Sequence, residues 1–191
     1  MTAPGQPKPS DPWRKPVTLD AVPETGLVQE FEASADEREA MRRLAGLRDL
    51  TAARARFEVS RVGRERARAV GRVTATLGQT CVVTLEPIET GVDEEIETLF
   101  VPESEIEAVT RAMDKEAEGT GEMADVPEPI VNGVLDLGKL AADTLFLAID
   151  PYPRKPDARF EPPAVAEDPE DHPFAALKAL QGKTPPKADT D

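Results

Sequence analysis

The chain has 191 residues, enough for one domain or for one domain with loose ends. Aromatic residues make up only 4% of it, so the core must be built from Ala, Val, Leu and Ile. The net charge is -14, and a single cysteine, Cys81, excludes both an internal disulfide and a cysteine-based zinc site.

Five of the 19 prolines lie in residues 1–16 and nine in residues 151–191, so the folded part is expected between them. The absence of a disulfide framework fits a reducing compartment. No apolar run reaches the roughly 18–20 residues of a membrane span. The opening stretch MTAPGQPKPSDPWRKP lacks the apolar centre of a signal peptide, and the chain reads as a cytoplasmic protein. The charge is segregated. Residues 38–72 hold eleven arginines against four acids, whereas residues 86–128 hold fifteen acids against two bases. The low average pI therefore hides a basic block.

Residues 1–15 are expected as a disordered tail and 16–157 as the domain. Pro16–Val22 and Gly26–Ala33 read as extended pieces around a turn at Pro23-Glu24-Thr25-Gly26. Ser34-Ala35-Asp36-Glu37 matches a capping box, which predicts a helix to about Ala45 with Gly46 as its stop. Residues 51–85 alternate. Ala53, Ala55, Phe57 and Val59, then Ala67, Ala69, Val73, Ala75, Leu77, Cys81, Val83 and Leu85, fall on odd positions. Arg54, Arg56, Arg64, Arg66, Arg68 and Arg72 fall on even ones. This predicts a hairpin turning at Gly63, with Gly78 bending its second arm. Residues 91–101 predict a third strand, with Asp93, Glu95 and Glu97 on its solvent side. Residues 103–128 lack apolar periodicity and are expected as an acidic insertion, disordered or weakly helical. Asp136 is placed as the N-cap of a helix to about Ile149 that buries Leu137, Leu140, Ala141, Leu145 and Ala148. The stretch 158–191 is expected to be mostly disordered, with a short helix near 173–181.

Both apolar rows of the hairpin must face one core, so both arginine rows must share the opposite face. A stripe of Arg54, Arg56, Arg64, Arg66, Arg68 and Arg72 suits a phosphate backbone. The competing reading pairs these arginines with Asp93, Glu95 and Glu97 across the strands. No tyrosine or tryptophan interleaves with them, which argues against base stacking. The arm Asp150-Pro151-Tyr152-Pro153-Arg154-Lys155-Pro156 holds Tyr152, Arg154 and Lys155 on a stiff backbone, as a contact for RNA or protein or as a cap that packs Tyr152 on the sheet. Cys81 has the apolar parity of its strand and reads as a small buried hydrophobe. His172 is the only histidine, no nucleophilic pair or phosphate-binding loop occurs, and no catalytic residue, metal ligand or cofactor is expected.

Gln79-Thr80-Cys81-Val82-Val83-Thr84-Leu85-Glu86-Pro87, followed by Asp136-Leu137-Gly138-Lys139-Leu140 and then by the proline arm, resembles the YceD family of large ribosomal RNA subunit accumulation proteins. Pro173-Phe174-Ala175-Ala176-Leu177 resembles the closing motif of its alphaproteobacterial branch. The resemblance covers roughly residues 12–181 and implies a part in accumulation of large-subunit ribosomal RNA. It carries over no catalytic residue. Many relatives have Cys-x-x-Cys at the first motif. Here Thr84 takes the second place, so no metal or redox pair is carried over either.

The expected fold is α+β: a mainly antiparallel, twisted sheet of about five strands covered by two helices. The expected function is a non-enzymatic factor in ribosome biogenesis. Its partners are large-subunit ribosomal RNA or an assembly intermediate, with a basic assembly protein as a further partner and no membrane. The alternative is a protein-binding adaptor that uses the acidic segment and the proline arm without touching RNA.

Overall fold

The computed structural model describes residues 11–120 and 126–160. The chain divides into two units, Met1–Ala158 and Arg159–Asp191, and the fold below belongs to the first. In chain order its elements are β1 (Pro16–Thr18), β2 (Leu27–Glu32), α1 (Ala35–Ala45), β3 (Asp49–Val62), β4 (Arg66–Thr80), β5 (Pro87–Pro102), α2 (Ile106–Thr120), β6 (Glu128–Ile130), β7 (Val134–Asp136) and α3 (Leu137–Ala148).

The alternating stretch folds as the period of two requires. β3 and β4 form a long antiparallel hairpin, with Gly63 at its turn in the left-handed region at φ 71°. β2 joins β3, and β5 joins β4, both antiparallel; β6 runs parallel to β5 along Phe100–Pro102. The order β2-β3-β4-β5-β6 gives the expected five-stranded, mostly antiparallel sheet. β1 and β7 form a separate two-stranded pair.

The odd-numbered row becomes the core. Ala53, Ala55, Phe57, Val59, Ala67, Ala69, Val73, Ala75 and Leu77 are all buried. α3 lays Leu137, Leu140, Ala141 and Leu145 into the same core, and α1 contributes Met41. A buried side chain of this size contributes about 1.5–3 kcal/mol. Gly71 is the one gap in the β4 row. A Cβ there would lie 2.3 Å from Cδ1 of Phe57, so the glycine makes room for the ring. Phe57 stacks on Phe31, and Phe31 meets Trp13 edge-on at 5.3 Å.

The helix ends follow their local signals. Glu37 N–H donates to Ser34 Oγ, and Ser34 N–H donates to the Glu37 carboxylate, which closes the capping box. Gly46 ends α1 at φ 66°. Asp136 caps α3 by accepting from the N–H groups of Gly138 and Lys139.

Five features differ from the sequence expectation. Among the described residues there are three helices rather than two, because residues 103–128 carry α2. Ile106, Val109 and Met113 recur at helical spacing on the half-buried side of α2, a short row hidden among acids. The second arm of the hairpin stops at Thr80 rather than running to Leu85, and residues 81–86 form a loop. β5 starts earlier, at Pro87. The irregularity near Gly78 lies on the opposite strand, where Thr51 is the extra residue between the pairs Leu50–Leu77 and Ala52–Thr76. That single insertion switches the buried parity and turns Leu50 into the core.

Finally, Trp13 falls in the stretch expected as a tail and is fully buried. Its backbone is clasped to α3. Lys15 N–H donates to Asp136 Oδ1 at 2.9 Å, and Leu137 N–H donates to Lys15 O at 3.1 Å. Gly138 permits this approach, since a Cβ would stand 2.5 Å from Trp13 O. Residues 1–10, the expected helix near 173–181 and the Pro173–Leu177 motif lie outside the described residues.

Candidate functional site

The sheet presents the arginines together. Arg54, Arg56, Arg68 and Arg72 stand exposed on the face away from the core, Arg66 is half-buried beside them, and Arg64 stands exposed at the hairpin turn. The face is also lined with acids. Glu32 sits directly across from Arg54 and pairs with it at 2.8 Å. Arg56 pairs with Glu58, and Arg66 with Glu105. Arg68 and Arg72 each reach diagonally, two residues along β5 from their direct neighbours, to Glu97 and Asp93. The twist of the strands makes that diagonal the shorter route for a long side chain.

Five of the six arginines are thus engaged with carboxylates, but only Arg68 and Arg72 use the β5 acids named by the competing reading of the sequence, and Glu95 pairs with none of them. A shallow concavity of about 690 Å³ on this face is lined by Glu30, Glu58 and Glu95 as well as Arg54, Arg56 and Arg72. Its potential is mixed rather than basic. Among the described residues Arg64 has no carboxylate partner, and its main-chain oxygen accepts from Arg61.

A second assembly joins segments some seventy residues apart. The proline arm is bonded at three places to the loop 81–86 and at a fourth to the end of β4. Gln79 is buried at the end of β4, and its Nε2 donates to Asp150 O at 2.8 Å. Val82 N–H donates to Pro153 O at 2.9 Å. Lys155 N–H donates to Cys81 Sγ at 3.5 Å, and Lys155 Nζ pairs with Glu86. That pairing holds the Glu86 carboxyl below its ordinary range. Thr90 Oγ1 fixes the Gln79 amide from the other side by donating to Oε1.

Cys81 is buried, as its parity indicated, but at the head of the loop rather than within a strand. Its sulfur collects donors. Hydrogen bonds from the Thr84 side chain and from the N–H groups of Lys155 and Thr84 favour the thiolate, outweigh burial, and pull the thiol from 9.0 to about 6. Leu85 closes the loop at φ 59° and is 75% exposed. Tyr152 is 71% exposed, so it does not pack on the sheet, and Arg154 is exposed beside it. Lys155 is bound into the junction and positions the arm.

Gln79 and Glu86 lie inside the first motif, yet residue type alone assigned them no role. Their function as clasps depends on what lies opposite.

A family model described as large ribosomal RNA subunit accumulation protein YceD matches residues 69–181. The chain belongs to the YceD family. Both halves of the junction, the Cys81 loop and the proline arm, lie within the matched stretch. Membership brings a role in the accumulation of large-subunit ribosomal RNA. No curated protein and no solved structure matches the chain. Among the described residues, no helix of this YceD-family chain is long and apolar enough to cross a membrane.

Proposed function

We propose that this chain supports accumulation of large-subunit ribosomal RNA as a non-enzymatic adaptor, and that its proline arm is a protein contact in an assembly intermediate. The carrying observation is the arm itself. Tyr152 and Arg154 stand exposed on a backbone held by Gln79, Val82 and Cys81. A contact presented in advance loses little conformational entropy on binding. Exposed tyrosine and arginine are also the residue types that anchor interfaces.

A second reading, direct contact with RNA phosphates by the arginine hairpin, is favoured by one observation. Arg64 stands at the turn with no carboxylate partner among the described residues. Arg54, Arg56, Arg66, Arg68 and Arg72 would each have to leave an acid to join it, which counts against this reading.

Co-sedimentation with precursors of the large subunit separates the two. The double substitution Tyr152→Ala with Arg154→Glu is expected to lose the particles, while Arg64→Glu with Arg66→Glu and Arg68→Glu keeps them. The reverse pattern overturns the adaptor reading and supports RNA contact, which should then also weaken steeply with salt.

A further inference from the structure

The fifth strand leaves an edge open. Among the described residues, β6 pairs with β5 only along Phe100–Pro102. From Pro87 to Leu99 the other edge of β5 carries no strand. An open edge offers main-chain N–H and C=O groups as a template for another strand. Beside it, between β5 and α3, runs a groove of about 440 Å³ lined by Ile96, Thr98, Leu140 and Leu147. Leu147 is 88% exposed, an apolar side chain without cover.

The rim of this groove is acidic. Glu94 falls on the core-facing row, across from the buried Val73, and yet is exposed. Glu94 and Glu95 make no ion pair among the described residues, and Glu128 and Asp143 share the single lysine Lys139.

We propose that this edge and groove take a lysine- or arginine-rich extended segment of another protein, added as a strand beside Asp93–Leu99 with an apolar side chain in the groove. The proposal rests on the adaptor reading and names a surface and a partner chemistry for it. Charge decides the occupant. Glu94 and Glu95, without an ion pair among the described residues, and Glu128 and Asp143, which share one lysine, repel a phosphate backbone and equally repel the same edge of a second copy of this chain, whereas Asp93 and Glu97 are already paired with Arg72 and Arg68. A basic strand meets this acidic field on approach, gains main-chain hydrogen bonds along the edge and buries its apolar residue against Ile96 and Leu147.

The test uses the full chain and a labelled synthetic peptide of alternating lysine and valine, read by fluorescence anisotropy and by hydrogen exchange. The expected result is binding that slows exchange of the amides of residues 93–99. Glu94→Lys with Glu95→Lys should weaken binding by about tenfold or more, whereas Asp20→Lys with Glu24→Lys, the same change of net charge elsewhere, should alter it by less than about twofold. Leu147→Ser, which removes the apolar wall without changing the charge, should weaken it as well. No binding, binding without protection of 93–99, or equal weakening by the two double variants overturns the inference. If the peptide fails while Tyr152→Ala with Arg154→Glu still strips the chain from the particles, this edge is wrong and the adaptor reading stands. If that arm variant also keeps the particles, both fall.

Discussion

The main-chain N–H of Lys155 points at the sulfur of Cys81 across 3.5 Å, and so ties the proline arm to the loop that follows β4. The two residues are far apart in the chain, and neither looks like the partner of the other. Their contact turns two motifs into one structure. The buried thiol thereby has a structural role, since it accepts hydrogen bonds that hold Tyr152 and Arg154 in place.

This contact predicts a pH dependence of stability. The Cys81 thiol is lowered from 9.0 to about 6 by its donors, so the folded state favours the thiolate. The stabilisation is fully present above the unfolded value near 9.0 and is lost as pH falls through about 6. Urea unfolding of the native chain should therefore show stability rising from pH 6 to pH 9, with a shallower rise in Cys81→Ala. Identical slopes in the two proteins would mean that the thiolate is not held as described. Thiolate absorbance in the ultraviolet gives the midpoint independently.

Gly71 and Gly91 give a matched pair of substitutions in neighbouring strands. A Cβ at Gly71 collides with the Phe57 ring, whereas one at Gly91 meets nothing within 4 Å. Gly71→Ala is expected to cost about 1–3 kcal/mol through overpacking. Gly91→Ala should stay within about 0.5 kcal/mol of the native chain. Denaturant midpoints of the two variants decide the matter, and equal values would remove the Phe57–Gly71 contact from the core.

Asp136 ties the segment before β1 to α3, since it caps α3 and receives both Lys15 N–H and the Arg14 guanidinium. Asp136→Ala should cost about 1–3 kcal/mol, the sum of a lost cap and an orphaned main-chain donor. Asp136→Asn keeps an acceptor for the helix N–H groups and should recover most of that loss. If Asn is as damaging as Ala, the ion pair to Arg14 rather than the cap carries the effect.

Trp13 tests where the domain begins. Trp13→Ala should cost about 3–5 kcal/mol, as expected for a large buried aromatic. Trp13→Phe should cost far less, because the indole Nε1 has no hydrogen-bond partner to lose. A chain starting at Pro16 should melt well below one starting at Asp11. A stable Pro16 chain would return Trp13 to the tail.

The repeating and local features were legible in the chain. A period of two separated the core row Ala53–Val59 from the arginines, because successive side chains of a strand alternate faces. Ser34, Glu37 and Gly46 set the limits of α1 through bonds that span only a few residues. Asp136 announced α3 in the same way. What spacing could not decide was which distant groups meet. Whether the arginine stripe is free or paired depended on the register of β5 against β4, which places Glu97 and Asp93 on the diagonals of Arg68 and Arg72. The burial of Trp13 depended on α3 returning beneath it with a glycine at Gly138. The strand ended at Thr80 because the chain turns back into β5 there, with Cys81 N–H donating to Glu86 O and Leu85 N–H donating to Cys81 O, although the parity of Cys81, Val83 and Leu85 continued the strand. Alternation reports only the face on which a side chain would lie, whereas main-chain hydrogen bonds decide where the alternation stops.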